Sequence, residues 1–451
     1  MELTFHGGAR MVTGSNYLLE SGGEQILIDC GLNQGSRFCE AKNFEPFHYD
    51  PKKIKALFVT HAHIDHTGRI PQLVRQGFTG PIYSTEPTKD FAELLLLDSE
   101  HILREDAEVH HREPLYGAED VNRAGAQWRG VSYHKKATVG PFSIEFYDAG
   151  HILGSAILAV EAEGKRVVFS GDLGNMPPSF INPRESIPGA DYVLVESVYG
   201  ARVHEDLADR RDALEDLIEE TVKAGGVVLI PAFALERTQG LLYELNELVE
   251  HGRIPRVPIF VDSPLAIKLT AVYQKYASDP RYFGPAAIAS LKRGDALFNF
   301  PGLRMSLTKE QSKEINSVPP PKVIIAGSGM SQGGRILHHE VRYLPDPKSS
   351  ILFIGYQAEG SLGRKILEGA KTVKLLGEEV AVRAKVKQIS GYSAHADQPQ
   401  LLEWLRPMRL SAKKVFVVQG EEIEALPLAQ KIRDELAMDA VVPTEGEVVN
   451  L

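Results

Sequence analysis

Residues 60–68 read THAHIDHTG and close the run KALFVT, residues 55–60, whose β-branched and aromatic bias is that of a buried strand. The stretch Gly68 to Gln76 reads as a helix, so His61, His63, Asp65 and His66 fall in the turn between strand and helix. Imidazoles and a carboxylate packed this closely suit zinc or a similar divalent ion. More than three or four ligands in one place point to two ions rather than one. A lone histidine carries no such argument, because most are surface or satisfied core residues. A cluster of desolvated imidazoles with no cation to bind is costly.

Outward from this turn, the chain is longer than one compact core usually supports: its 451 residues predict two or three domains. MELTFHGG at the start is no basic-then-apolar leader, and no apolar run approaches the roughly 18 residues that span a bilayer. The expectation is a cytoplasmic protein with no membrane partner. Cys30 and Cys39 are the only cysteines, too few for a disulfide framework in a chain this long. A net charge of −10 argues against nucleic-acid binding by bulk positive charge, although bound metals and local Lys/Arg clusters reverse the sign inside a cleft.

Strands alternate with helices almost from end to end, which reads as α/β. The early strands Gln25–Asp29, Ala56–Thr60, Ser143–Asp148, Lys165–Ser170 and Tyr192–Glu196 each end near a candidate ligand. After Gly200 the units become regular: helix 207–224, strand 227–231, helix 235–251, strand 258–261 and helix 264–276. Strands at 322–326 and 350–355 follow. Strict βα alternation predicts a second domain built on a parallel sheet. SVPPPK, residues 317–322, reads as a surface connector.

GSGMSQGGR, residues 327–335, is a glycine-rich turn between strand and helix. It supports either a tight turn with close helix–sheet packing or a phosphate cradle made by Gly327, Ser328 and Gly329. It is not a dinucleotide fingerprint, since Gln332 stands where the third glycine would be. His338 and His339 are expected on the surface of the helix that follows.

Two further pieces complete a dinuclear site: His151 in DAGHILGSA and Asp172 in FSGDLG, each at a strand end and flanked by glycine. With HAHIDH they resemble the metallo-β-lactamase superfamily in order and context. Glu196 in VLVESVYG, then PAFALERTQ, VDSPLA, GSGMSQGGR and His395 in GYSAHADQ resemble its β-CASP branch over essentially the full length. That resemblance implies two zinc ions, one on His61, His63 and His151 and one on Asp65 and His66, with Asp172 bridging and Asp29 orienting ligands from behind. It further implies that His395, paired with Glu196, protonates the leaving oxygen, so that Asp65, Glu196 and His395 carry the chemistry.

One position departs. RNA-processing members of this family carry a metal-binding histidine in HGE after a late strand, whereas DNA-processing relatives tend to have valine. Here VFVVQGEE puts Gln419 there. A neutral amide is a poorer zinc ligand than imidazole, which predicts a weaker second site, filled by zinc or manganese.

The implied architecture is a metallo-β-lactamase αββα sandwich from residues 1–200 and 375–451, the latter the RNA-specificity return, with an α/β β-CASP domain of residues 201–374 inserted. The implied function is a zinc-dependent ribonuclease acting on single-stranded RNA that enters a cleft between the two, leaving 5′-phosphate and 3′-hydroxyl ends. The alternatives are a non-catalytic RNA-binding homologue and a deoxyribonuclease of the same branch. A small-molecule hydrolase has no use for the insert or for SAHAD. Homo-oligomerisation is left open.

Overall fold

The computed structural model describes the chain except residues 36, 205, 206, 356, 358 and 359. It divides into two compact units, Met1–Val203 with His395–Leu451, and His204–Ala394.

The first unit holds two seven-stranded sheets. One runs, in spatial order, Val448–Asn450, Glu2–Gly7, Asn16–Ser21, Glu24–Ile28, Ile54–Phe58, Ile82–Ser84 and Trp128–Gly130. The other runs Ala440–Val441, Lys414–Val418, Tyr192–Glu196, Lys165–Phe169, Ala156–Ala162, Phe142–Asp148 and Lys136–Val139. Period-2 alternation decides which side chains meet between them. Leu3, Phe5, Ile26, Ile28 and Phe58 of the first sheet pack with Phe142, Ile144, Phe146, Leu158, Phe169, Leu194 and Phe416 of the second. Val193 and Val195, flanking Leu194, face the other way, where Leu401, Leu405, Leu428 and Ile432 of helices Gln398–Leu405 and Glu422–Leu436 cover them. A strand covered on both faces reads as an unbroken apolar run, and this is why VLV at 193–195 does not alternate with polar residues. The long helix Glu86–Val109 flanks the other sheet near Trp128–Gly130.

The chain leaves this unit after Tyr192–Glu196 and re-enters it beside that same strand, because Lys414–Val418 pairs with it in parallel. The final strand then pairs antiparallel with Glu2–Gly7.

The second unit is built on a six-stranded sheet of entirely parallel pairs, as the βα alternation requires. Helix Leu207–Ala224 and strands Val227–Pro231 and Lys322–Ala326 have the bounds read from the sequence. Residues 375–394 group by compactness with this unit. The hairpin of Thr372–Leu375 with Glu378–Ala381 and the strand Lys385–Gln388 lie in the second unit. Val380, Ala384 and Val386 pack into its core, and the last strand extends its sheet. The return to the first unit therefore starts at His395.

Candidate metal centre

Each candidate ligand stands just beyond a strand of the first unit. After strand Ile54–Phe58 the chain bends at Thr60 and carries His61 and His63 in a short loop. A single helical turn, Ile64–Thr67, then brings Asp65 and His66 round to their neighbours. Backbone bonds fix that turn: Cys30 N donates to His66 O (2.9 Å), Leu32 N to Ile64 O (2.9 Å) and Ser15 N to Asp65 O (2.9 Å). A Cβ on Gly31 would sit 1.6 Å from the Asp65 carbonyl oxygen, so only glycine permits this approach.

His61 Nε2 lies 3.1 Å from His63 Nδ1, which lies 3.3 Å from His151 Nε2. Asp172 Oδ2 is 3.3 Å from His61 Nε2 and 3.5 Å from His151 Nε2. With metal bonds of 2.0–2.1 Å, the edge of a tetrahedron of ligands is about 3.4 Å, so these four atoms have the spacing of a zinc coordination shell. Burial, reinforced by neighbouring imidazoles, holds His63 and His151 well below the usual histidine range and lowers His61 as well. Neutral imidazole is the form that ligates. The residues present fit a divalent ion.

Around His66 the chemistry is different. Its Nδ1 is 2.7 Å from Asp29 Oδ2. Asp29, itself in the left-handed region at φ 59°, also accepts from Thr60 N (2.8 Å), Thr60 Oγ1 (2.9 Å) and Ser15 Oγ (3.2 Å). His66 Nε2 is 3.4 Å from Asp172 Oδ1 and 3.9 Å from Asp65 Oδ2. Burial alone would lower His66, but Asp172, Asp29 and Asp65 outweigh it and raise it well above the usual range. Asp172 mirrors this: burial would raise it, yet His66 and His61 hold it well below the carboxylate range. Asp172 thus turns one oxygen to each histidine set. Gln419 Nε2 stands 2.9 Å from both Asp172 Oδ1 and His66 Nε2.

His395 Nδ1 is 3.3 Å from both oxygens of Glu196, which is fully buried. Glu196 Oε1 accepts from Leu173 N at 2.6 Å. Burial raises Glu196, with His395 acting against that shift. His395 reaches the site through a bridge to Gly174, and Ala396 N donates to Leu173 O (2.8 Å). A Cβ on Gly174 would lie 1.8 Å from Gly150 O. His395 is also close enough to Asp172 and Glu196 for the three to form a second metal-capable group.

All the residues read from sequence as metal ligands, together with Asp29, Glu196, His395 and Gln419, come together here. Thr60, Gly31 and Gly174 were missed. Thr60 follows from its place before HAH, whereas the two glycines become informative only once the chain segments that cross them are known.

In the second unit the glycine-rich turn is closely packed. Ser328 N donates to Gly333 O (3.1 Å) and so is not offered to a phosphate, and Gln357 Nε2 donates to Gly329 O (2.9 Å). A Cβ on Gly329 would meet the Phe233 ring at 2.7 Å. His338 is exposed as expected, but His339 is buried. Its Nε2 contacts Asp262 Oδ2 at 2.8 Å, a partner 77 residues away that the helix sequence does not announce.

Residues 10–223 match the profile of the metallo-beta-lactamase superfamily, residues 238–366 that of the Beta-Casp domain, and residues 379–443 that of a Zn-dependent metallo-hydrolase RNA specificity domain. Ribonuclease TTHA0252 of Thermus thermophilus is 41% identical over 431 residues, 95% of each chain. Transcription termination factor FttA of Methanosarcina mazei is 31% identical over the whole of this chain and 72% of its own. An RNase J-like protein of Methanocaldococcus jannaschii is 31% identical over 99% of each. A crystal structure of a protein of unknown function from Enterococcus faecalis V583 shares the fold, with TM-score 0.55 at 14% identity, covering 100% of this chain and 99% of that one. The chain belongs to the metallo-β-lactamase superfamily, in the branch that carries an inserted Beta-Casp domain and an RNA-specificity segment.

Proposed function

We propose that this protein is a zinc-dependent ribonuclease that hydrolyses phosphodiester bonds of single-stranded RNA in the cytoplasm. The observation that carries the reading is the convergence of His61, His63, His151 and Asp172 at the spacing of ligands around one ion. The relative named as a ribonuclease and the RNA-specificity profile supply the substrate class.

A divalent ion held by those four would supply Lewis-acid polarisation of a phosphoryl oxygen and an activated water at neutral pH. Asp29 keeps His66 oriented through Nδ1. Glu196 holds His395 by Nδ1, and the imidazole would deliver a proton to the departing 3′ oxygen. That oxygen leaves as a hydroxyl and the phosphate stays on the 5′ end. A second ion shared by Asp65, His66 and Asp172, zinc or manganese, is in this reading the weaker one.

The test incubates metal-reconstituted protein with end-labelled single-stranded RNA and DNA of identical sequence and maps the product ends. Cleavage of RNA with 5′-phosphate ends is expected. Gln419, where a ribonuclease of this family has histidine, favours a second reading, a deoxyribonuclease, which preferential DNA cleavage supports. Binding without cleavage of either strand supports a non-catalytic RNA-binding homologue.

A further inference from the structure

Gln419 does more than replace a ligand with a weaker one. It follows strand Lys414–Val418 in the left-handed region at φ 51°, with its N–H on Gly8 O at 2.6 Å. Its carbonyl accepts from Ser197 N at 3.4 Å, and the residue is only 2% exposed. Its Cγ lies 3.3 Å from where a Cβ on Gly8 would be, so the side chain rests on that backbone. Held this way, the terminal amide stands 2.9 Å from both Asp172 Oδ1 and His66 Nε2, two atoms that are themselves 3.4 Å apart. Asp172 is an acceptor, so the group that faces it is the amide NH2, a donor. A ligand would face the ion with its oxygen.

The contrast with the neighbouring set is direct. His61, His63, His151 and Asp172 turn their ligand atoms toward one another at coordination-shell spacing. Between His66 and Asp172, the protein inserts its own hydrogen-bond donor. An ion bound at 2.0–2.2 Å competes with that amide for the lone pair of Asp172 Oδ1 and for the space in front of His66 Nε2. Asp65, at 3.9 Å from His66 Nε2, does not by itself restore the site.

We propose that Gln419 is a resident occupant of the second metal position. Its amide bridges His66 and Asp172 and holds the seat closed, so the protein binds one divalent ion tightly and a second only by displacing the amide. The inference rests on reading His61, His63, His151 and Asp172 as the first metal site.

Equilibrium dialysis of the full-length, metal-stripped protein against graded zinc, with elemental analysis, tests it on wild type, Gln419→Ala, Gln419→Gly and Gln419→His. The glycine variant suits the positive φ and guards against misfolding of the alanine one. Wild type is expected to keep one equivalent. Removing the side chain should tighten the second ion by about tenfold or more, on the scale by which groups around a metal site tune affinity. Gln419→His should hold two equivalents through dialysis. A second-ion affinity that is unchanged or weaker in both Gln419→Ala and Gln419→Gly makes Gln419 a ligand or a bystander and overturns the proposal, as does a wild type that already holds two equivalents. Failure of every variant to bind even a first equivalent overturns the metal site itself, and the proposal with it.

Discussion

His395 reaches the candidate centre through Nδ1, bonded to a fully buried Glu196, and it sits beside Asp172 at 3.8 Å without entering the compact four-atom set. A proton-delivering role and a ligand role therefore predict different outcomes. His395→Ala is expected to lower turnover by roughly 10²–10⁴-fold while leaving metal content and RNA affinity unchanged. Elemental analysis beside single-turnover cleavage checks this. Loss of a metal equivalent with unchanged turnover per bound ion would make His395 a ligand. At this scale the site was legible where chemistry is dense in sequence: HAHIDH declares itself, and His151 and Asp172 each stand at a strand end with glycine on both sides. What sequence could not give was direction. That Gln419 turns its amide nitrogen inward, or that His339 finds Asp262, depends on partners hundreds or tens of residues distant.

Among the elements, the strands read from the sequence as apolar, β-branched runs lie within a residue or two of those observed, whereas short ones such as Ile82–Ser84 and Trp128–Gly130 were not read. Residues 375–394 were not readable in the same way. Val380 and Val386 carry no mark saying which of two sheets they will cover, and only the pairing of Lys385–Gln388 with Ser350–Phe353 assigns them. The turn at 327–335 meets its helix through another buried group. Glu340 on helix Ile336–Tyr343 accepts from Ser331 Oγ at 2.5 Å, while its Oε2 has no hydrogen-bond partner among the described residues. Burial pushes this carboxyl up to about 7. The folded state therefore binds its proton more tightly than the unfolded chain, whose glutamate titrates near 4.3. Stability from this group is full below about pH 4.3 and declines as pH rises toward about 7, with a limit on the order of 3 kcal/mol. Glu340→Gln should flatten that slope and raise the melting temperature at pH 8 relative to wild type. Chemical denaturation from pH 4.5 to 8 measures it. An identical slope in both proteins would mean that Glu340 titrates normally.

The molecule as a whole divides into a unit that holds every candidate ligand and a unit that holds none of them. Metal binding is folding free energy only for the first. Removing metal with a chelator should lower the melting transition of the unit formed by Met1–Val203 and His395–Leu451 and leave that of His204–Ala394 in place. Differential scanning calorimetry, with hydrogen exchange to assign the transitions, would register a shift in one alone. Equal shifts in both would show that the two units unfold together. The existence of an insert was legible from the change in texture after Gly200.

Hydrolysis of RNA should depend on an ion held by His61, His63, His151 and Asp172. The most direct measurement is cleavage of 5′-labelled single-stranded RNA by chelator-stripped protein, before and after one divalent metal at a time is restored, with His61→Ala carried alongside. Stripped wild type should be inert, zinc or manganese should restore cleavage, and His61→Ala should stay inert at the same added metal. Undiminished cleavage by the stripped protein, or full restoration in His61→Ala, would mean that these four residues do not hold the ion that hydrolysis needs.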